Sequence, residues 1–85
     1  MPAANDLESI ANYLYEQNPT SAAQILRRIY HAPAILRQFP NSGRLGRKEG
    51  TRELVLTSLP YLIIYKVLGK NVRLLRVLHG AQRWP

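Results

Sequence analysis

The spacing of apolar residues changes once along this chain of 85 residues, and the change limits the folds that it can adopt. Up to Phe39, apolar side chains recur at intervals of three and four, which is typical of one face of an α-helix. After a segment at 40–50 that contains three glycines, the interval becomes two, as in β-strands. The pattern therefore predicts an α+β domain in which helices come first and an antiparallel sheet follows.

The front half is predicted to form a helical hairpin. The first helix ends before Pro19, because the residue that precedes a proline avoids the helical backbone conformation. A second helix follows at once, and Pro33 inside it is expected to kink or divide it, since proline has no N–H to donate. The apolar faces comprise Leu7, Ile10, Ala11 and Leu14 in the first helix and Ala22, Ile25, Leu26, Ile29, Ala32 and Leu36 in the second.

The back half is predicted to form three or more strands, at 51–56, 61–67 and 72–78, which are rich in Val, Ile, Leu and Tyr. Only short turns separate them, so neighbouring strands are expected to pair as an antiparallel meander. Both faces of the predicted sheet are largely apolar, and the alternation leaves open which face covers the helices. A chain of this length is expected to form one domain, at 1–85.

The charge of the chain points to an anionic partner. Twelve lysines and arginines against five acidic residues give a net charge of +7. A surplus of this size in a small domain favours binding to nucleic acid, the ribosome, an acidic protein or a membrane surface. Charge alone does not choose among these partners.

Several classes of protein are excluded by what the chain lacks. It has no cysteine, which excludes a disulfide scaffold and a thiolate zinc site and fits a reducing cytoplasm. Its two histidines, His31 and His79, have no cluster of carboxylates near them in sequence, so we expect no metal site. There is no glycine-rich phosphate or dinucleotide motif, and we expect no cofactor. No apolar run is long enough to cross a bilayer, and the first residues lack the pattern of a signal peptide.

Two arginines in the predicted sheet are candidates for phosphate contacts. Arg52 opens the first strand, and its guanidinium can either hold a phosphate or pair with Glu49, Glu53 or an acid of the first helix. Arg76 lies among apolar residues of the last strand. A charge in that position either lies on an open face of the sheet, where it can contact phosphate, or pairs with an acid inside.

His79 and two tyrosines are candidates for chemistry and for stacking. His79 ends the last strand and titrates near neutrality, so it can act as a general acid or base or be structural. Tyr61 and Tyr65 share one face of the middle strand, where they either pack in the core or stack on bases.

Further basic residues are candidates for contacts with nucleic acid or with a protein partner. Arg44, Arg47 and Lys48 lie in the glycine-containing segment, which is either a solvated loop or an electrostatic guide for a polyanion. Lys66 lies on the face of the middle strand opposite the two tyrosines, and Arg83 lies close to the C-terminus.

Several short motifs follow one another along the chain: Asp6-Leu7-x-x-Ile10-x-x-Tyr13, Asn18-Pro19-x-x-Ala22, Pro40-x-x-Gly43-Arg44, Arg52-Glu53-Leu54 and His79-Gly80-Ala81-Gln82-Arg83-Trp84-Pro85. Each is weak alone, but in this order, from about Ala3 to Pro85, they resemble the RelE/ParE superfamily of toxins. The resemblance implies a helical hairpin on an antiparallel sheet, a type II toxin–antitoxin system with a cognate antitoxin as partner, and one of two modes of action.

The two modes differ in their chemistry. RelE-like toxins enter the ribosomal A site and cut mRNA: the 2′-hydroxyl attacks its neighbouring phosphate, and the protein positions groups, moves protons and stabilises charge. ParE-like toxins inhibit DNA gyrase and need no chemistry of their own. The first hypothesis from the resemblance is a metal-independent endoribonuclease that cuts mRNA on the ribosome. The alternatives are gyrase inhibition and an inactive, truncated toxin that retains antitoxin binding.

The cleavage hypothesis gives roles to particular residues. Arg52 and Arg76 hold phosphate, His79 moves a proton, Tyr65 stacks on or orients a base, and Arg83 steadies the C-terminal rim. In the gyrase hypothesis, the same basic residues form a surface that binds protein.

Two departures from the family pattern bear on these hypotheses. Family members usually begin with a strand before the first helix, whereas here the first residues lead straight into a helix, so that strand is expected to be absent. Many ribosome-dependent nucleases carry an arginine directly after the tyrosine that matches Tyr61, and here that position is Leu62. The basic set of such a nuclease is therefore incomplete in this chain.

Overall fold

The computed structural model describes residues 2–80 and Trp84. A helical hairpin precedes a four-stranded antiparallel sheet whose strands neighbour one another in chain order. The predicted α+β architecture, a helical hairpin packed on an antiparallel sheet, is confirmed. The elements are α1 (Pro2–Gln17), α2 (Pro19–His31), a 3-10 helix (Ala32–Arg37), β1 (Arg44–Leu45), β2 (Arg52–Val55), β3 (Tyr61–Leu68) and β4 (Asn71–His79).

Prolines set the limits of the helices. Pro19 is the first residue of α2, so a single residue, Asn18, links the two helices. At Ala32 the α-helix passes into the 3-10 helix, directly before Pro33. The predicted division of the second helix falls here because a proline cannot donate a hydrogen bond to the carbonyl four residues earlier.

The β3–β4 hairpin forms most of the sheet and has one irregularity in its register, between Ile64 and Tyr65. On the other side of β3 lies β2, and beyond it β1 pairs with Arg52 and Glu53 only. The sequence pattern did not predict β1, because two residues are too few to show a period. In the described part of the chain, no strand precedes α1.

The sheet face that carries Tyr61 and Ile63 packs against the helices. Ile64 and Leu78 lie on the opposite face by alternation, and they are buried as well. This is why both faces of the sheet have an apolar pattern. The buried cluster between the helices and the sheet consists of Ala3, Ile29, Leu56, Tyr61, Ile63 and Val77.

An ion pair joins α1 to β4, which is the edge strand of the sheet that the described residues form. The carboxylate of Asp6 accepts a hydrogen bond from the backbone N–H of Val77 at 2.9 Å, and two more from Nε and Nη2 of Arg76 at 2.7 and 2.9 Å. Burial acts to raise the pKa of Asp6, but the hydrogen bonds from Arg76 and Val77 and the charge of Arg76 outweigh it and hold that pKa below its ordinary value. The carboxylate therefore stays charged and fixes α1 to β4.

Replacing the carboxylate, as Asp6→Asn, should destabilise the fold, because Arg76 loses its ion-pair partner. Near neutral pH we expect the free energy of unfolding to fall by about 1–2 kcal/mol. The pKa of Asp6 is lower in the folded than in the unfolded state, so its contribution is present above the unfolded pKa of about 4 and is lost as pH falls through the folded pKa.

Urea unfolding near neutral pH and in acid measures both effects. Glu8→Gln, a change at an exposed acid of the same helix, is the matched control. A stability difference between Asp6→Asn and the unmodified chain that stayed the same in acid would contradict the ion pair as its source.

Candidate functional site

The candidate residues from the sequence fall into separate regions of the structure. Arg52 and Tyr65 hold the loop that precedes β1, and Arg76 belongs to the ion pair described above. His79 lies at the end of the β3–β4 hairpin that is farthest from its turn. Arg83 lies outside the described residues.

Arg52 is engaged by the loop that precedes β1. Its Nη1 donates to the backbone carbonyl of Asn41 at 3.2 Å and to that of Gly43 at 2.8 Å. Within the described residues it forms no ion pair with Glu49, Glu53 or an acid of α1. Backbone carbonyls therefore take the place of the phosphate or carboxylate that the sequence suggested for this guanidinium.

Tyr65 is fully buried beneath the same loop. Its hydroxyl donates to the carbonyl of Pro40 at 2.7 Å and accepts from the N–H of Gly43 at 2.9 Å. A Cβ on Gly43 would lie 2.6 Å from that hydroxyl and 2.8 Å from the carbonyl oxygen of Glu53, so only glycine fits this close approach. The ring has no exposed face on which a base could stack, and the geometry favours core packing for Tyr65.

Loss of the hydroxyl in Tyr65→Phe should destabilise the chain by about 1–3 kcal/mol, because a buried N–H and a carbonyl lose their partner. The same change at the exposed Tyr30 is the control and should have almost no effect. Urea unfolding measures the loss, and amide exchange at Gly43 locates it. Unchanged stability together with unchanged exchange would show that the hydroxyl does not hold the loop.

Among the described residues, four cations lie at or beside the turn between β1 and β2, namely Arg44, Arg47, Lys48 and Lys66. The Nε of Arg44 donates to Oε1 of the buried Glu53 at 2.9 Å, while the rest of its side chain is exposed. Lys66 reaches over from β3, since its Cε lies 4.0 Å from the position of a Cβ on Gly50. We call this region the basic turn; its exposed cations can attract an anion or an acidic protein surface.

An aromatic cleft of about 260 Å³ lies at the other end of the sheet, lined by Ser9, Ile10, Tyr13, Tyr61 and His79. The rings of Tyr61 and His79 meet edge to face, with centroids 5.7 Å apart and planes at 84°. Tyr61 is 6% exposed, whereas Tyr13 is 58% exposed. Burial raises the pKa of Tyr61, and the nearby Tyr13 raises it further, so Tyr61 is uncharged near neutral pH.

The basic turn and the aromatic cleft are far apart along the sheet. Arg52 pairs with Tyr65 on β3, and His79 pairs with Tyr61 on the same strand. Four residues of strand span about 13 Å, and β2 and β4 are a further two strand spacings apart, about 10 Å. The phosphate-holding Arg52 and the proton-moving His79 of the cleavage hypothesis therefore do not meet at one point.

A groove with a basic rim lies between α1, the 3-10 helix and the β3–β4 hairpin. It consists of three adjoining cavities of about 400, 660 and 440 Å³ that share Leu74. Its apolar lining includes Leu7, Val67, Val72 and Leu74, and its rim carries Arg37, Lys70 and Arg73.

The sequence did not predict this groove, and it did not predict that α1 lines the aromatic cleft. Arg37 is more than 30 residues away from Lys70 and Arg73, and only packing brings it close to them. For the cleft a signal was present, because Ser9 and Tyr13 are four residues apart and lie on one stripe of the helix. That signal became meaningful only when the fold placed the stripe beside Tyr61 and His79.

The described residues, 2–80 and Trp84, bring together no group of three or more His, Cys, Asp or Glu side chains that could hold a metal ion. No helix among them combines the length and the apolar character needed to cross a membrane.

The chain is similar to known proteins in sequence and in fold. The family model of the ParE toxin of type II toxin-antitoxin system, parDE, matches residues 1–84. The protein Y4kP of Sinorhizobium fredii is 41% identical over 83 residues, which cover 98% of this chain and 85% of that protein. Toxin RelE2 of Caulobacter vibrioides is 34% identical over 80 residues, which cover 94% and 89%. A solved structure, the chromosomal ParDE TA system from P. aeruginosa, matches with a TM-score of 0.85 and 28% identity, over 92% of this chain and 87% of that chain.

Proposed function

The chain belongs to the ParE toxin family of type II toxin–antitoxin systems, and from that premise we propose that it inhibits DNA gyrase by binding to it, without catalysis. A ParDE system also implies a cognate antitoxin as partner. The proposal concerns the finer question, which is whether toxicity comes from a bound target or from cleavage of mRNA.

The separation of the candidate residues is the observation that carries this proposal. A nuclease needs its cations and its proton-transfer group within hydrogen-bonding reach of one phosphate. Arg76 is held by Asp6, Arg52 by loop carbonyls, and His79 lies at the far end of the hairpin. A binding surface has no such requirement, because its charges act on a partner over several ångströms.

The purified chain should block supercoiling of relaxed plasmid by gyrase and should leave mRNA intact on programmed ribosomes. Both assays use the same preparation, and added antitoxin should relieve the inhibition because it occupies the toxin. A RelE-like nuclease tested in parallel shows that the ribosomes are competent. Cleaved mRNA together with normal supercoiling would overturn the proposal.

Cleavage of mRNA is the second candidate, because the exposed His79 stands beside Tyr61 in an open cleft. Substitution His79→Gln separates the two candidates. A nuclease that uses the imidazole for proton transfer should lose orders of magnitude in rate. A gyrase inhibitor should keep its potency within about tenfold, and His31→Gln, at the other exposed histidine, is the matched control.

We place the antitoxin, as part of this proposal, in the groove with the basic rim. The apolar lining suits one side of an amphipathic segment, and Arg37, Lys70 and Arg73 suit acidic residues along its other side. The net charge of +7 favours an acidic partner in general, and the cations of the rim are where acidic residues of the antitoxin would bind.

Charge reversal at the rim, as Arg37→Glu, should weaken antitoxin binding by about tenfold or more, because attraction becomes repulsion. Arg27→Glu is the matched control, since Arg27 is an exposed cation of α2 that does not line the groove. Titration calorimetry at low and raised salt measures both affinities. Equal losses for the two variants would indicate a general charge effect and contradict the groove.

A further inference from the structure

We propose that the aromatic cleft receives an aromatic side chain of the target protein, with a basic residue of that protein beside Glu16. The inference rests on the proposed function, because it names the chemistry by which a toxin that acts through binding would recognise its target. It concerns residues of α1 and of the strand ends, and none of the cations of the basic turn.

The lining of the aromatic cleft suits a ring. Besides Ser9, its walls are the side chain of Ile10 and three rings, and Tyr61 and His79 already meet edge to face. Aromatic rings pack in this way at centroid separations of 4.5–7 Å, so a ring from a partner would extend an existing stack. Tyr13 is exposed on the open side, where a bound ring would cover it. A tyrosine that becomes buried on binding is typical of the residues that dominate interface energies.

The charge around the cleft favours a partner with a cation. Residues at i, i+4 and i+7 share one stripe of a helix, so Glu16 continues the stripe of Ser9 and Tyr13 toward the end of α1. It is exposed and forms no ion pair within residues 2–80 and Trp84. Its carboxylate would attract a basic residue that lies next to the inserted ring.

A nucleobase is the less favoured occupant of the same space. Among the described residues that line the cleft, only His79 has a side chain that can carry a positive charge. The phosphates attached to a base would lie near the carboxylate of Glu16, while the exposed cations of the basic turn are at the other end of the sheet. Repulsion there would oppose binding of a polyanion.

The aromatic cleft is separate from the groove proposed for the antitoxin. Leu7 lines the groove and Tyr13 lines the cleft, and six residues of helix span about 9 Å. Binding of target and binding of antitoxin can therefore be measured apart, on the same variants.

Substitution Tyr13→Ala tests the proposal in the whole chain. We expect inhibition of gyrase to weaken by about tenfold or more, and antitoxin affinity to stay within about twofold. Tyr15→Ala is the matched control, because Tyr15 is 53% exposed against 58% for Tyr13 but points to the other side of α1. Full potency of Tyr13→Ala, or equal losses in both variants, would overturn the proposal.

A charge swap tests the predicted basic neighbour. Glu16→Lys should weaken inhibition of gyrase by about tenfold, because the new ammonium group repels the basic residue of the target. Glu8→Lys, at an exposed acid about 12 Å earlier along the axis of α1, makes the same change in net charge and should retain potency. Potency that rose or stayed equal in Glu16→Lys would exclude a cationic partner at this place.

A small probe tests the ring site without gyrase. N-acetylphenylalanine amide at millimolar concentration should shift the amide NMR signals of Ile10, Tyr13 and His79 and leave that of Arg47 in place, and Tyr13→Ala should reduce the shifts. Adenosine monophosphate should cause smaller shifts. Larger shifts with the nucleotide would overturn the proposal in favour of nucleic acid.

The proposed function and the assignment of the aromatic cleft can be refuted separately. If the unmodified chain does not inhibit gyrase, the proposed function fails, and the probe still decides whether the cleft binds a ring. If the unmodified chain inhibits gyrase and Tyr13→Ala inhibits it equally, the assignment of the cleft fails and the proposed function stands.

Discussion

The carboxylate of Asp6 determines where the first helix lies on the sheet. It accepts hydrogen bonds from the backbone of Val77 and from the side chain of Arg76, so it joins α1 to β4, the last strand in the order of the described sheet. From that position α1 provides one wall of the groove through Leu7 and one wall of the aromatic cleft through Tyr13. Both surfaces proposed for partners therefore depend on the position of α1, which this polar contact fixes together with the packing of Ala3 in the buried cluster.

Comparable hydrogen bonds hold the loop before β1, which lies at the opposite edge of the sheet from β4. Tyr65 and Arg52 together bind three carbonyls of the loop and the N–H of Gly43. A domain of 85 residues has a small core, and folded domains are typically stable by only about 5–15 kcal/mol, so contacts worth about 1–2 kcal/mol each are a sizeable share of the total. The basic turn follows this loop directly, and the contact that stabilises the fold also fixes the position of its cations.

The sequence predicted the helices and strands, because local patterns of residues determine them. Apolar periods and the prolines at 19 and 33 indicated both helices and the place where the second one changes, and alternation indicated the three long strands. The partners of the candidate residues could not be predicted in this way. Arg76 and Asp6 are 70 residues apart, and Tyr65 and Pro40 are 25 apart, so each pairing depends on how the layers pack. Alternation gave Tyr61 and Tyr65 the same face but could not show that one ring lines a cleft while the other is sealed beneath a loop.

Because α1 lines both the groove and the aromatic cleft, binding of the antitoxin and binding of the target can be coupled thermodynamically. If the antitoxin moves α1 when it occupies the groove, the shape of the cleft changes as well, because Leu7 and Tyr13 belong to the same helix. Linkage then requires that antitoxin weakens target binding by the same factor by which target weakens antitoxin binding. A coupling free energy of about 1.4 kcal/mol corresponds to a factor of ten. An antitoxin that shifts α1 in this way reduces toxicity without covering the cleft, and the ion pair of Asp6 is the contact that opposes such a shift.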